Sequence, residues 1–94
     1  MKSKVERLKE AFEKYWVQAN YVFIDFYSIE EDKIEIVYTL DRNEVSYSFS
    51  DNNLENAEEI YDDHGFSHFC IKNENNETII VKFFHSNSIN PLKI

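Results

Sequence analysis

Three histidines and the one cysteine of this 94-residue chain are the residues most suited to metal or thiol chemistry. They are His64, His68, Cys70 and His85. On a strand the side chains of His68 and Cys70 point to the same side, and His85 can approach them from a neighbouring strand to complete a three-ligand zinc site. A thiol beside an imidazole is also the arrangement of a cysteine nucleophile. One interpretation is therefore a small metal- or thiol-dependent enzyme that uses His68 and Cys70.

The surroundings of these residues favour a simpler role. No lysine or arginine occurs between Arg42 and Lys72, and a negative local field disfavours the thiolate that such chemistry requires. A single cysteine in a strand ordinarily packs as a small hydrophobic residue. One glycine is too few for a glycine-rich phosphate loop, and so small a chain has little room for a substrate cleft. We therefore expect a protein that is not an enzyme, with no metal site and no cofactor.

The charge of the chain is strongly negative and unevenly distributed. Acidic residues outnumber basic ones by 18 to 10, for a net charge of −8. This balance argues against direct binding to nucleic acid, whose phosphates repel such a surface, and against docking on anionic membranes. Residues 43–71 contain seven acidic residues and no lysine or arginine. The excess of negative charge is therefore concentrated in the middle of the chain.

The first element that must position these residues is an N-terminal helix. Ser3 and Glu6 stand at the spacing of a capping box, in which each side chain satisfies the backbone amide of the other. Apolar residues then recur at three- and four-residue steps, which predicts a helix of about four turns that ends near Asn20. The apolar positions are Val5, Leu8, Ala11, Phe12, Tyr15, Trp16 and Ala19.

Alternating apolar and polar residues predict strands over 21–29, 33–40, 45–49, 66–72 and 77–84. Short polar connections at 30–32, 41–43 and 73–76 indicate antiparallel neighbours. The first strand is apolar on both faces, which predicts a central position. The sequence thus predicts an α+β fold, ordered α-β-β-β-α-β-β, with the N-terminal helix packed across one face of an antiparallel sheet of about five strands.

The segment 51–65 has the pattern of a second helix, with Asn52 and Glu55 in capping-box register and Gly65 after the last turn. Its apolar side is formed by Leu54, Ala57, Ile60 and Tyr61, and its opposite side is a carboxylate stripe of Glu55, Glu58, Glu59 and Asp62. Like charges at these spacings destabilise a helix. The stripe is therefore interpreted either as a solvated, solubilising face or as a surface complementary to a basic partner.

We take the second interpretation as the functional prediction: a small acidic protein-binding module, an inhibitor that occludes the nucleic-acid-binding surface of a basic partner such as a nuclease or toxin. The predicted partner-binding residues are Glu55, Glu58, Glu59, Asp62, Asp63, Asp51, Glu44, Asp41, Tyr61 and Tyr47, assisted by the acidic turn 30–32. The module is expected to be a monomer or a weak dimer. The alternative is an adaptor or homodimer subunit that pairs through an aromatic sheet face carrying Tyr21, Phe23 and Tyr27.

The length predicts one domain over residues 1–94, in which 85–94 either dock through Ile89, Leu92 and Ile94 or form a loose tail. The N-terminus is charged where a signal peptide is apolar, and one cysteine allows no internal disulfide. These features predict a cytoplasmic protein, and the abundance of Lys, Asn and Ile, whose codons are rich in A and T, suggests a bacterial or phage origin.

In size and charge the chain resembles bacterial immunity proteins against nuclease toxins, and phage proteins that mimic DNA or inhibit host defence nucleases. The resemblance implies inhibition by occupation of a basic groove. The order of the first elements also resembles that of double-stranded-RNA-binding domains, but the segment 51–65 carries acidic residues where those domains need basic ones, which excludes that function.

Overall fold

The computed structural model describes residues 3–61 and 67–84, which form two helices and eight strands. The helices are α1 (Lys4–Lys14) and α2 (Asp51–Glu55); the strands are β1 (Trp16–Ala19), β2 (Val22–Phe23), β3 (Phe26–Ile29), β4 (Lys33–Leu40), β5 (Asn43–Ser50), β6 (Glu58–Tyr61), β7 (Ser67–Lys72) and β8 (Thr78–Phe84). All the described strand pairs are antiparallel, in a five-stranded sheet β2-β1-β8-β7-β6 and a three-stranded sheet β3-β4-β5. The predicted α+β class with an N-terminal helix and antiparallel strands is confirmed, with the strands divided between two sheets. The predicted strands 33–40 and 45–49 correspond to β4 and β5 of the smaller sheet.

Helix α1 begins as predicted but ends earlier. The Ser3 hydroxyl accepts a hydrogen bond from the amide of Glu6, and the helix stops at Lys14 with Tyr15 in an extended conformation. The prediction that it reaches Asn20 is wrong, because residues 16–19 form β1 and pair with β8. Val17 and Ala19 are buried in this pairing. Ala19 fits the spacing of the predicted helical stripe but belongs to the buried face of a strand.

The predicted central strand over 21–29 is divided between the two sheets. β2 pairs with β1 and β3 pairs with β4, and each lies at the edge of its sheet. Between them the amide of Ile24 bonds to Val17 in one sheet at 3.1 Å, and that of Asp25 bonds to Val37 in the other at 2.8 Å. The segment is apolar on both sides because it crosses between the two sheets, and the prediction of a central strand is wrong.

Helix α2 has only five residues, Asp51–Glu55, and the prediction of a helix through residue 65 is wrong. Its capping box is formed by Ser50 and Asn53 instead of Asn52 and Glu55. Asn56 ends the helix, and the acidic segment that follows becomes β6, paired with β7. Repulsion between closely spaced carboxylates disfavours a helix there, and the pairing with β7 favours the strand.

The β4–β5 hairpin follows its predicted pattern. Its two-residue loop, Asp41 and Arg42, has φ angles of 52° and 68°, which suit the right-handed twist of the flanking strands. Alternate residues of both strands enter a core shared with the larger sheet and with Leu8 and Phe12 of α1. The buried apolar residues are Leu8, Phe12, Val17, Ala19, Ile34, Ile36, Tyr38, Phe49, Leu54, Ala57, Ile71, Ile79 and Val81.

Neither described helix has the length and apolar content needed to cross a bilayer. The C-terminal segment 85–94, for which docking or looseness was predicted, lies outside the described residues.

Candidate protein-binding surface

The predicted carboxylate stripe does not exist as a helical face. Glu55 is the last residue of α2, whereas Glu58 and Glu59 are consecutive residues of β6. Consecutive strand residues point to opposite faces of a sheet, so Glu58 and Glu59 diverge. The prediction of one stripe on a second helix is therefore wrong. Asp62 and Asp63 lie outside the described residues.

The negative charge of this region nevertheless remains largely uncompensated. Asp51 is an exception, because its carboxylate lies 2.9 Å from the Nζ of Lys9 on α1. The side chains of four other acidic residues are exposed and have no ion pair within the described parts of the chain: Glu44, Glu55, Glu58 and Glu59. Cations of α1 nevertheless approach the segment: Lys4 donates to the carbonyl of Ala57, and Lys4 and Arg7 line a pocket together with Glu59.

The remaining predicted contact residues occupy two different places. Asp41 and Glu44 lie at the exposed end of the β4–β5 hairpin. Tyr61, at the end of β6, is 66% exposed and can serve as an aromatic contact. Tyr47 is half-buried with its ring centroid 6.1 Å from that of Tyr38, and the hydrogen bond with Tyr38, reinforced by burial, raises the pKa of its phenol. Tyr47 is thus held by the core side of the hairpin.

Lys33, beside the acidic turn 30–32, is already neutralised. Its Nζ lies 2.8 Å from the carboxylate of Glu35 and 3.5 Å from that of Glu30. The hydrogen bond to Glu35, followed by the charge of Glu30, raises the pKa of the Lys33 amine. This lysine therefore contributes little positive charge to its surroundings, whereas Asp32 next to it is exposed and has no ion pair among the described residues.

Sequence reasoning missed a groove beside the outer edge of β5, which we call the β5 groove. It encloses about 330 Å³ between β5 and the β7–β8 turn. Its lining residues are Asp32, Lys33, Ser46, Tyr47, Ser48, Ser50, Asn73, Glu74, Asn75 and Glu77. The turn itself was predicted from its asparagines, but no local signal indicates that it faces a strand more than 20 residues away, at Ser50.

Hydrogen bonds hold the turn side of the β5 groove in place. The buried side chain of Asn73 accepts from the amides of Asn75 and Glu77 at 3.0 Å and donates to the Glu77 carboxylate at 3.1 Å. The hydroxyl of Ser50 donates to Glu74 at 2.9 Å, which joins the turn to the end of β5. The two walls of the groove are therefore connected and pre-formed.

The candidate metal or thiol site is only partly described. His68 and Cys70 share the outer face of β7, as predicted, and stand opposite Lys82 and Ile80 of β8. His64 and His85 lie outside the described residues. Within the described residues no three His, Cys, Asp or Glu side chains are grouped as a metal site would require.

The predicted aromatic sheet face is dispersed. Tyr21 lies in a turn, 63% exposed, with the Nζ of Lys82 4.8 Å from its ring centroid. Phe23 pairs with Gln18 in the large sheet, whereas Tyr27 pairs with Ile36 in the small one. These residues do not form one face, and that part of the prediction is wrong.

Comparison with models of protein families, with curated proteins and with solved structures finds no match to this chain.

Proposed function

We propose that this protein is a non-enzymatic binding module whose acidic surface occupies a basic, nucleic-acid-binding surface of a partner protein. The observation that carries the proposal is the set of exposed carboxylates at Glu44, Glu55, Glu58 and Glu59, for which the described residues supply no ion pair. Glu58 and Glu59 point to opposite faces of β6, and a partner groove that takes in this edge strand contacts both. Exposed carboxylates without an ion pair contribute little to the stability of a fold. They are suited to attracting a partner of opposite charge.

The partner is a nuclease, a toxin or another nucleic-acid-binding protein. Its phosphate-binding groove is basic, and carboxylates presented by α2 and β6 compete with the phosphates for the same lysines and arginines. Exposed Tyr61 beside them supplies an aromatic contact of the kind that interfaces favour. The mechanism is occlusion, in which the nucleic acid is excluded and no bond is made or broken. The protein acts in the cytoplasm of a bacterial cell, either as a protein of that bacterium or as a protein of an infecting phage.

The test is displacement of DNA from basic proteins. A fluorescent DNA duplex is bound to each of several purified nucleases and basic DNA-binding proteins, and the acidic protein is titrated in while anisotropy is recorded. We expect release of the duplex from at least one partner. Because NaCl also weakens the binding of DNA to that partner, the salt dependence is measured without DNA, by the anisotropy of the fluorescently labelled acidic protein on the partner. Its affinity is expected to fall at least about tenfold when NaCl rises from about 50 to about 300 mM.

Two matched variants locate the surface. The triple variant Glu55→Gln, Glu58→Gln and Glu59→Gln is expected to weaken displacement about tenfold or more. The control triple Glu6→Gln, Glu10→Gln and Glu13→Gln removes the same charge from exposed positions of α1 and is expected to remain within about twofold of the wild type. Absence of displacement from every partner, or equal effects of the two triples, would overturn the proposal.

A further inference from the structure

The longest open strand edge in the described structure is that of β5. The sheets end at β2 and β6 in one case and at β3 and β5 in the other, and of these four only β5 has eight residues. Edge strands carry unpaired backbone donors and acceptors and readily accept a further strand. Natural edges are commonly protected by lysine, proline or a bulge, and β5 has none of these.

The pairing register shows which backbone groups of β5 are unpaired. A two-residue hairpin loop makes Leu40 and Asn43 the first hydrogen-bonded pair, so alternate residues from Asn43 onward bond to β4. The intervening residues Glu44, Ser46 and Ser48 direct their amides and carbonyls away from the sheet. Two further bonds confirm this alternation: the amide of Asp51 bonds to Asp32, which leads into β4, whereas that of Ser50 turns outward to Asn53.

The side chains along this edge permit close approach. Ser46 and Ser48 are small and exposed, and they line the β5 groove together with the β7–β8 turn. The groove therefore runs beside the unpaired backbone groups, and its opposite wall is the turn held by Asn73. An extended chain placed there has a strand on one side and a pre-formed wall on the other.

The charge of the β5 groove indicates which side chains such an extended segment carries. Asp32, Glu74 and Glu77 line it, and the lining cation, Lys33, is already bonded to Glu30 and Glu35. A second copy of this chain, itself at −8, would bring like charges together at this edge. A segment with lysine or arginine side chains is complementary to it.

We propose that the partner inserts an extended basic segment into the β5 groove, where it adds to the small sheet as a fourth strand beside β5. The backbone of the segment pairs with Glu44, Ser46 and Ser48, and its basic side chains face Glu74, Glu77 and Asp32. This inference rests on the proposed function only for the basic character of the partner, because the contact surface differs from the carboxylates of α2 and β6.

The test uses a synthetic probe and the intact protein. The probe is a capped peptide in which lysine and valine alternate, and a same-sequence analogue has its central amides N-methylated, so that charge is kept and backbone donors are lost. Binding is measured by anisotropy, and the contact is located by amide chemical shifts and hydrogen exchange. We expect new exchange protection at Ser46 and Ser48, with at least about tenfold weaker binding of the methylated analogue.

Protein variants test each part of the contact. Ser46→Pro removes an outward amide without removing a bond to β4. Ser46→Lys places a charge on the edge that repels the basic peptide, and lysine remains compatible with a strand. Each variant is expected to weaken peptide binding about tenfold. Glu74→Gln with Glu77→Gln is expected to weaken binding similarly, and Glu6→Gln with Glu13→Gln to leave it within about twofold.

Several outcomes would overturn strand addition. These are equal binding of the methylated analogue, protection at β6 instead of β5, unchanged binding by Ser46→Lys, or a protein dimer that forms through β5 in the absence of peptide. If DNA displacement depends on Glu55, Glu58 and Glu59 while the peptide leaves β5 unchanged, the proposed function stands and strand addition fails. If the peptide protects β5 but no basic protein releases DNA, occlusion fails and strand addition stands.

Discussion

At the scale of single residues, a few polar side chains connect segments that are far apart in sequence. Lys9 on α1 is the clearest case, because its Nζ donates to the carbonyls of Glu30 and Glu31 at 3.2 and 2.9 Å and lies 2.9 Å from the carboxylate of Asp51. One ammonium group thus joins the helix, the turn before β4 and the start of α2. The side chain of Lys9 is mostly shielded from solvent, which strengthens these bonds relative to those of an exposed lysine.

Lys9→Met is therefore expected to lower the free energy of unfolding by about 1–2 kcal/mol, since charge-assisted bonds to two carbonyls and a carboxylate are lost. Urea unfolding at neutral pH measures the change. Lys72→Met removes the same charge from an exposed strand position and is expected to cost less than about 0.5 kcal/mol. Equal losses in the two variants would show that only net charge matters.

Asn73 connects three groups of its own turn. Asn73→Ala leaves the amides of Asn75 and Glu77 without their acceptor and is expected to cost about 1–3 kcal/mol in unfolding free energy. Asn73→Asp keeps the acceptor oxygen but places a buried carboxylate beside that of Glu77, so both variants are made together with Glu77→Gln, where Asn73→Asp is expected to give the smaller loss. The two variants are compared by urea unfolding, and a larger loss for Asn73→Asp than for Asn73→Ala would contradict the assigned bonds.

Tyr47 makes the stability depend on pH in the alkaline range. The hydrogen bond with Tyr38 and burial raise the pKa of Tyr47 above its ordinary value of 10.0, so the folded state holds the neutral phenol more tightly than the unfolded state does. This stabilisation is complete below the unfolded pKa and is lost as pH rises through the folded pKa. The raised pKa of Lys33 acts in the same direction.

The free energy of unfolding is accordingly expected to fall as pH rises above about 10, and to fall less steeply in Tyr47→Phe. Urea unfolding at several pH values between about 8 and about 11 measures both slopes. Tyr21→Phe, which removes an exposed phenol, is the control. If the unfolding free energy falls as steeply with pH in Tyr47→Phe as in the wild type, Tyr47 does not cause this pH dependence.

At the scale of elements, conformations that are unfavourable in isolation are held by the strands around them. The β4–β5 loop places two non-glycine residues, Asp41 and Arg42, at positive φ angles of 52° and 68°. Each such residue costs about 1–2 kcal/mol relative to glycine, and the eight-residue pairing of β4 with β5 offsets this. The hairpin therefore carries strain that a glycine would relieve.

Arg42→Gly is expected to raise the free energy of unfolding by up to about 1 kcal/mol, whereas Arg42→Ala, which removes the same charge and keeps a Cβ, is expected to give no gain. Thermal and urea unfolding of the two variants provide the comparison. A gain in Arg42→Ala equal to that in Arg42→Gly would assign the effect to charge instead of backbone conformation.

At the scale of the whole molecule, the net charge of −8 opposes folding and favours binding to a cation-rich partner. Salt screens both effects, so they are expected to respond in opposite directions: NaCl raised from about 20 to about 300 mM increases the melting temperature and weakens the proposed binding. Calorimetry measures the melting temperature, and the anisotropy of the labelled protein on its partner, without DNA, measures the binding. A melting temperature that falls with NaCl would show that the ion pairs outweigh the self-repulsion.

Local patterns in the chain were sufficient for the α+β class, for β4 with its burial alternation, for the hairpin loops and for the start of α1. Each of these features depends on interactions between residues only a few positions apart, so the local sequence pattern predicts it directly. Other features depend instead on which distant strand is available for pairing. These are the end of α1, the division of residues 21–29 between two sheets, and the end of α2 at Asn56. The contact of Ser50 with Glu74, and hence the β5 groove, likewise arises only when the two sheets pack together. Contacts between distant segments depend on the burial of whole sheet and helix faces against one another, and no single stretch of sequence specifies that burial.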